Sequence, residues 1–441
     1  MQLQQTDQVL TAPQSVWEGR LLRAKRWGAT LAEFAFVQGL VQILTAVAGL
    51  LIVRTMAKHD YALYAIANSM QVTGNQLADL GIGIGVRSIG GRVWNDRERF
   101  GQLVNTALSL RRRFAAMSLA VTLPVSAWML WRNGAGWGLA AGLCLTIVAG
   151  IIPLLQSSVY NSCLQLHAEY RRIQKLDLGN AGLRLGLVGT LAMTRMNALL
   201  AVLVGVLSNW VQFTFARRWA FEKAEATAQM NPDDRRELMK LSWKWMPNVI
   251  FYCFQGQVTL LILTLFGSST NIADITALAR ISALFGVFSI TFSSVLAPRF
   301  SRCQDTSRLP RLYAALIGGS VLLLSIFLGF AWLLPELFLW LIGNKYSGLR
   351  SEFGWVVAAS LITQLGSTIW TLNAAKAWIR IQAVAYIPVT IGCQLIGAAC
   401  LDLRDFHDVL IFGVITAAAP LPCFLLDSML GLFSRGCRSG E

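Results

Sequence analysis

Charge is scarce in this chain. Lys, Arg, Asp and Glu make up 14% of its 441 residues, well below the ~25% of soluble globular domains, while 55% are hydrophobic and the mean hydropathy is +0.53. A soluble two-domain enzyme of this length is excluded. Histidine is rarer still: His59, His167 and His407 each lie near the end of an apolar stretch, which argues against a catalytic or metal-binding cluster. The eight cysteines are scattered without paired ligand spacing and read as small apolar packing residues. No P-loop is present, so ATP hydrolysis within the chain is not expected, and no cofactor is implied. Gly81-Ile-Gly83-Ile-Gly85 is not a dinucleotide fingerprint, because Val86 stands where the third glycine is needed. Gly81 and Gly85 instead read as a small-xxx-small pair for close helix approach. No cleavable signal peptide is expected, because residues 1–29 hold Arg20, Arg23, Lys25 and Arg26 and lead directly into a full-length apolar stretch.

What is present is a series of about twelve apolar stretches, each near the ~20 residues a helix needs to cross a bilayer. They fall at 30–53, 61–86, 113–131, 136–160, 177–194, 197–216, 245–266, 272–298, 312–334, 353–375, 380–400 and 407–433. The expected fold is an all-α polytopic membrane protein of two six-helix lobes around a central cavity. The net charge of +15 does not point to nucleic acid, because the cations lie in short segments between apolar runs. With the N-terminus inside, one side gathers Arg87, Arg92, Arg97, Arg99, Arg111 to Arg113, Arg171, Arg172, Lys175, Arg184, Arg217 through Lys244, and Arg299 through Arg311. The other side keeps Arg54, Lys58, Arg132, Arg195, Lys345, Arg350 and Arg404. That asymmetry fits twelve spans with both termini cytoplasmic. The longest polar interruption divides the chain into a cytoplasmic segment 1–29, a lobe 30–216, a linker 217–244, a lobe 245–433 and a cytoplasmic tail 434–441.

Polar side chains recur at helical spacing within several spans. Asn68, Gln71, Asn75 and Asp79 share a face of span two, and Asn248, Tyr252, Gln255 and Thr259 a face of span seven. Gln38, Gln42 and Thr45 do so in span one, and Ser360, Gln364, Ser367 and Thr371 in span ten. Interhelical hydrogen bonding explains such residues singly, at roughly 0.6–2 kcal/mol each. Four coherent stripes point to a hydrated cavity for a neutral, hydroxyl-rich ligand such as a sugar chain. Charges inside spans cost about 2.5–3.5 kcal/mol at a helix centre and need a reason. Arg280 either binds an anionic group or pairs with Asp274 or Asp79. Glu33 either snorkels to the interface or couples transport to an ion, and Asp79 either packs and caps or does the same.

The segments Arg54-Thr-Met-Ala-Lys-His-Asp-Tyr61-Ala-Leu-Tyr64, Asp79-Leu-Gly81, Ala277-Leu-Ala-Arg280-Ile and Leu341-Ile-Gly343-Asn-Lys345-Tyr346 resemble landmarks of bacterial polysaccharide exporters. The chain resembles the Wzx-type O-antigen and exopolysaccharide flippases of the multidrug/oligosaccharidyl-lipid/polysaccharide (MOP) exporter superfamily, with Ala62 where the family pattern has glycine. The resemblance implies a MATE-like bundle in the bacterial inner membrane that flips a polyprenyl-diphosphate-linked oligosaccharide by alternating access. It implies sugar in the polar cavity, diphosphate at Arg280 with Arg54 or Arg87 near the mouths, and the polyprenyl tail in membrane lipid. Polysaccharide polymerase and chain-length proteins would be assembly partners. Two other readings remain: a cation-coupled multidrug antiporter of the same superfamily, which calls for more acidic cavity residues, and a membrane polymerase or glycosyltransferase, which calls for a larger outer loop.

Overall fold

The computed structural model describes residues 36–167, 169–194, 196–280, 289, 292, 296, 300, 308–376 and 378–433. Among them there is no strand. The helices are α1 (Phe36–Thr55), α2 (Lys58–Asp79), α3 (Ile82–Val93), α4 (Arg97–Arg132), α5 (Trp137–Leu166), α6 (Tyr170–Ala192) and α7 (Ala198–Phe221). They continue as α8 (Pro232–Phe266), α9 (Ser269–Ala279), α10 (Leu309–Leu333), α11 (Pro335–Ile342), α12 (Arg350–Ala375), α13 (Gln382–Cys400), α14 (Phe406–Ala418) and α15 (Leu421–Phe433). Boundaries follow local chemistry. Asp96 accepts from the amides of Glu98 and Arg99 to start α4, and Asn231 accepts from Asp233 and Asp234 with Pro232 in the first turn of α8. Leu80 (φ 38°) and Gly81 (φ 81°) are left-handed and end α2. Gly81 therefore breaks the helix, contrary to the packing role expected of it. Gly85 does pack closely, against Leu238 of α8.

Nine helical stretches among the described residues are long and apolar enough to cross a membrane. The remaining expected spans are α2 and α6, whose polar and charged residues lower their hydropathy, and the span opened by α9, most of whose continuation lies outside the described residues. The protein is a multi-pass membrane protein.

The hydrophobic core is divided unevenly. At the end carrying the α1–α2 turn and α11, one cluster unites residues of both halves, from Ile52, Met56 and Tyr61 to Phe338, Tyr346 and Phe353. Toward the opposite, arginine-rich end there are two separate cores: Ile82, Phe100, Tyr160 and Leu238 in the first half, and Phe292, Phe300, Tyr313 and Trp378 in the second. Among the described residues the lobes thus share a core at one end and have separate clusters at the basic end.

The expected linker is largely helical and is not a free loop. α7 runs on to Phe221 and α8 starts at Pro232, so only residues 222–231 connect them. That connection and the first turns of α8 are clamped to α3 and α4. Asp234 takes both terminal nitrogens of Arg99 at 2.5 and 2.6 Å, Glu237 takes Arg92 at 2.5 Å, and the Asn105 amide donates to the carbonyls of Ala226 and Ala228. Gly101 makes the closest approach, since a Cβ there would lie 2.4 Å from the Glu225 carbonyl oxygen. Gly101→Ala is therefore expected to undock the segment at a cost of about 1–3 kcal/mol. Gly91→Ala, which meets nothing within 4 Å, should be neutral or slightly stabilising. Thermal unfolding of the two variants in detergent checks the contrast, and equal melting temperatures would contradict it.

Candidate functional site

Arg280 follows the last turn of α9 and reaches into the junction between the lobes. Its Nε donates to the Tyr61 hydroxyl at 3.2 Å and its Nη2 to the Tyr64 hydroxyl at 3.5 Å, and the guanidinium carbon lies 5.7 Å from the centre of the Tyr64 ring. Both tyrosines are buried, three residues apart on one face of α2. α1 contributes Gly49, whose absent side chain lets the guanidinium lie against the helix: a Cβ there would stand 3.4 Å from the Arg280 Nη1. From α6, Arg184 donates to the same Tyr64 hydroxyl at 3.2 Å. Four helices of the bundle thus bring two guanidinium groups onto a pair of phenols.

The two acids that offered Arg280 a structural partner are committed elsewhere. Asp274 pairs with Lys58 at 2.7 Å. Asp79 pairs with Arg111, a buried arginine that also reaches Ser158 and the Leu155 carbonyl, and its Oδ1 accepts from the Gly83 amide across the α2–α3 break. Asp79 therefore staples α2, α3, α4 and α5, a contact of the packing and capping kind that the sequence offered for it beside ion coupling. Tyrosine hydroxyls hold a guanidinium in place without neutralising it, and among the described residues these phenols are the hydrogen-bond partners of both guanidinium groups.

A membrane acid that the stripes did not include lies on α6. Asp177 is half-buried, and its carboxylate oxygens accept from Gln38 of α1 at 3.1 Å and Gln212 of α7 at 3.2 Å. Asn180 extends the cluster to Gln212 and Asn209. A carboxylate ringed by amides is able to take up a proton or a small cation. Asp177, Asn180 and Arg184 stand at intervals of three and four, the same spacing that marked the other stripes. Reading the segment's cations as topogenic hid that pattern. Asp177→Asn is expected to fold normally and to remove proton or cation uptake at this cluster; uptake by the purified variant equal to that of the unchanged protein would remove Asp177 from that role.

The other sequence candidates separate. Gln71 is buried against Gly150 of α5, near Val206 of α7, and its amide nitrogen has no hydrogen-bond partner among the described residues. Gln255 accepts from Tyr386 of α13 at 2.7 Å, and Gln38 belongs to the Asp177 cluster. Gln42, Asn68, Asn75, Asn248 and Thr259 are half-buried, and Tyr252 is exposed. A residue outside the stripes, Gln257, bridges α8 to Ser69 and Thr73 of α2. Arg54 and Arg87 do not join Arg280: Arg54 donates to the Trp340 carbonyl at the shared-core end, and Arg87 is exposed on α3 at the basic end. Glu33 lies outside the described residues.

No protein-family model and no curated protein matches the chain. Solved structures do. An inward-facing multidrug resistance MATE family transporter of the MOP superfamily aligns with a TM-score of 0.67 at 15% identity, covering 88% of this chain and 94% of that one. The eukaryotic MATE transporter AtDTX14 aligns at 0.57 and 10% identity over 90% and 96% of the two chains. A MATE protein in complex with MaD3S aligns at 0.57 and 16% identity over 90% and 94%. The chain has the MATE transporter fold.

Proposed function

We propose that this protein translocates polyprenyl-diphosphate-linked oligosaccharides across the bacterial cytoplasmic membrane by alternating access. The fold supports transport over catalysis. The observation that carries the substrate class is the junction of Arg280 and Arg184 on Tyr61 and Tyr64, a cationic centre where, among the described residues, the two acids considered as partners of Arg280 are paired with Lys58 and Arg111 instead. A diphosphate supplies the missing negative charge, and the bidentate geometry of a guanidinium suits its oxygens. The amide-rich faces of α1, α2 and α8 supply donors and acceptors for hydroxyl groups of a glycan. The arginine-rich end is cytoplasmic by the excess of Lys and Arg there. Separate lobe cores at that end support loading from the inner leaflet. Asp177 is the coupling acid in this reading. A polysaccharide polymerase and chain-length proteins are the partners that would consume the product.

Deletion tests the reading. Surface polysaccharide should stop and lipid-linked repeat units should collect on the cytoplasmic leaflet. Continued polysaccharide export with new sensitivity to cationic drugs would instead identify a multidrug antiporter, and short glycans already outside the membrane would identify a polymerase.

A further inference from the structure

Two of the short segments singled out in the sequence, Arg54 to Tyr61 and Leu341 to Tyr346, are 280 residues apart yet meet in the structure. The Lys345 ammonium donates to the carbonyls of Arg54 at 3.2 Å and Met56 at 2.9 Å, the oxygens left open where α1 ends. In return Arg54 donates to the Trp340 carbonyl at 2.5 Å and lies 5.1 Å from the centre of the Trp340 ring. Gly343 has φ +129°, a conformation open to glycine, and a Cβ on it would lie 3.2 Å from the Arg54 side chain. Lys58, at the start of α2, sits 5.0 Å from the centre of the buried Tyr346 ring and pairs with Asp274 of α9 at 2.7 Å. Each of these contacts joins the first lobe to the second, and all lie at the end where the lobes share one core.

We propose that residues 54–58 and 340–346, with Asp274, form a latch that holds the lobes together at the outer end and must open once per transport cycle. The inference rests on the transport reading and adds to it a location for the outer gate. Polar contacts suit a gate because their strength is replaced by water when it opens, whereas a purely apolar seam has no such exchange. The latch also explains why these two segments, far apart in the chain, carry recognisable residues: each presents its groups to the other.

The test reads accessibility and needs no substrate. In a background lacking the native cysteines, Met56→Cys reports on the latch, since Met56 is fully buried. Labelling by an impermeant thiol reagent from outside intact cells is expected to be slow in the otherwise unchanged protein. It should rise about tenfold or more when Lys345→Met and Asp274→Asn are combined. Joint charge reversal, Lys58→Asp with Asp274→Lys, should return it toward the starting rate. Normal yield and melting temperature establish that the variants fold; should Lys345→Met fail to fold, Asp274→Asn alone carries the same expectation at smaller size. Unchanged labelling in folded variants overturns the latch. Loss of the substrate reading would leave the labelling result intact, so the two failures are distinguishable.

Discussion

Arg280→Ala is expected to insert and purify normally while losing transport by about 10²-fold or more. Each hydrogen bond from a guanidinium to an anion contributes about 1.5–3 kcal/mol, so removing a bidentate pair reaches that range. Folding should be spared because the native partners of Arg280 are two neutral phenols, and these lose weak acceptor contacts, not a countercharge. Arg280→Lys should retain part of the activity by keeping the charge without the planar fork. Arg184→Ala should weaken transport less, since among the described residues its hydrogen bond is to Tyr64 alone, and the double variant should fall short of the product of the single losses if the guanidiniums serve one anion. Initial rates of leaflet transfer with each purified variant check this series. Full transport by a stable Arg280→Ala variant would remove the arginine from the mechanism.

Asp427→Ala is expected to give the largest loss of stability. Its carboxylate, 2% exposed within α15, accepts from the backbone amides of Arg380, Ile381 and Gln382 at 3.0, 2.7 and 3.0 Å. These are the open donors at the start of α13, which has no side-chain cap of its own. A neighbouring network ties Tyr313 to Ser428 and Ser428 to Asn373. Truncation strands three part-buried amides at a cost of about 3–5 kcal/mol, and Asp427→Asn should fall between because it keeps an acceptor. Thermal unfolding of the purified variants measures the order Asp, Asn, Ala. A wild-type melting temperature for the alanine variant would contradict the capping role.

The membrane character, the placement of most helices and the division into lobes were legible because hydropathy and cation asymmetry are local properties of the chain. Arg280 was legible for the same reason, as a charge in an apolar window. What the sequence withheld was pairing. For Asp79 the sequence offered packing and capping beside coupling, but it could not name the partner, Arg111, 32 residues away. Gln71 followed its stripe by spacing, but packing turned it against Gly150. Asp177 and Arg184 were passed over because the cations around them made α6 look like a topogenic segment. Asp427 was masked by the length and hydropathy of the apolar run that surrounds it. The helical start at Pro232 was legible without hydropathy, because Asn231-Pro232 ahead of a basic helical stretch is a helix-start signal in its own right.

The central claim is recognition of a lipid-linked diphosphate by the two guanidinium groups at the lobe junction. Its most direct measurement is leaflet transfer in proteoliposomes of the purified protein, comparing one oligosaccharide carried on polyprenyl diphosphate with the same oligosaccharide on an uncharged lipid. The account predicts transfer of the diphosphate form and little transfer of the neutral one, with the difference lost in Arg280→Ala. Equal transfer of both lipids, or exchange of a cationic dye for ions with no glycan transfer, would contradict it.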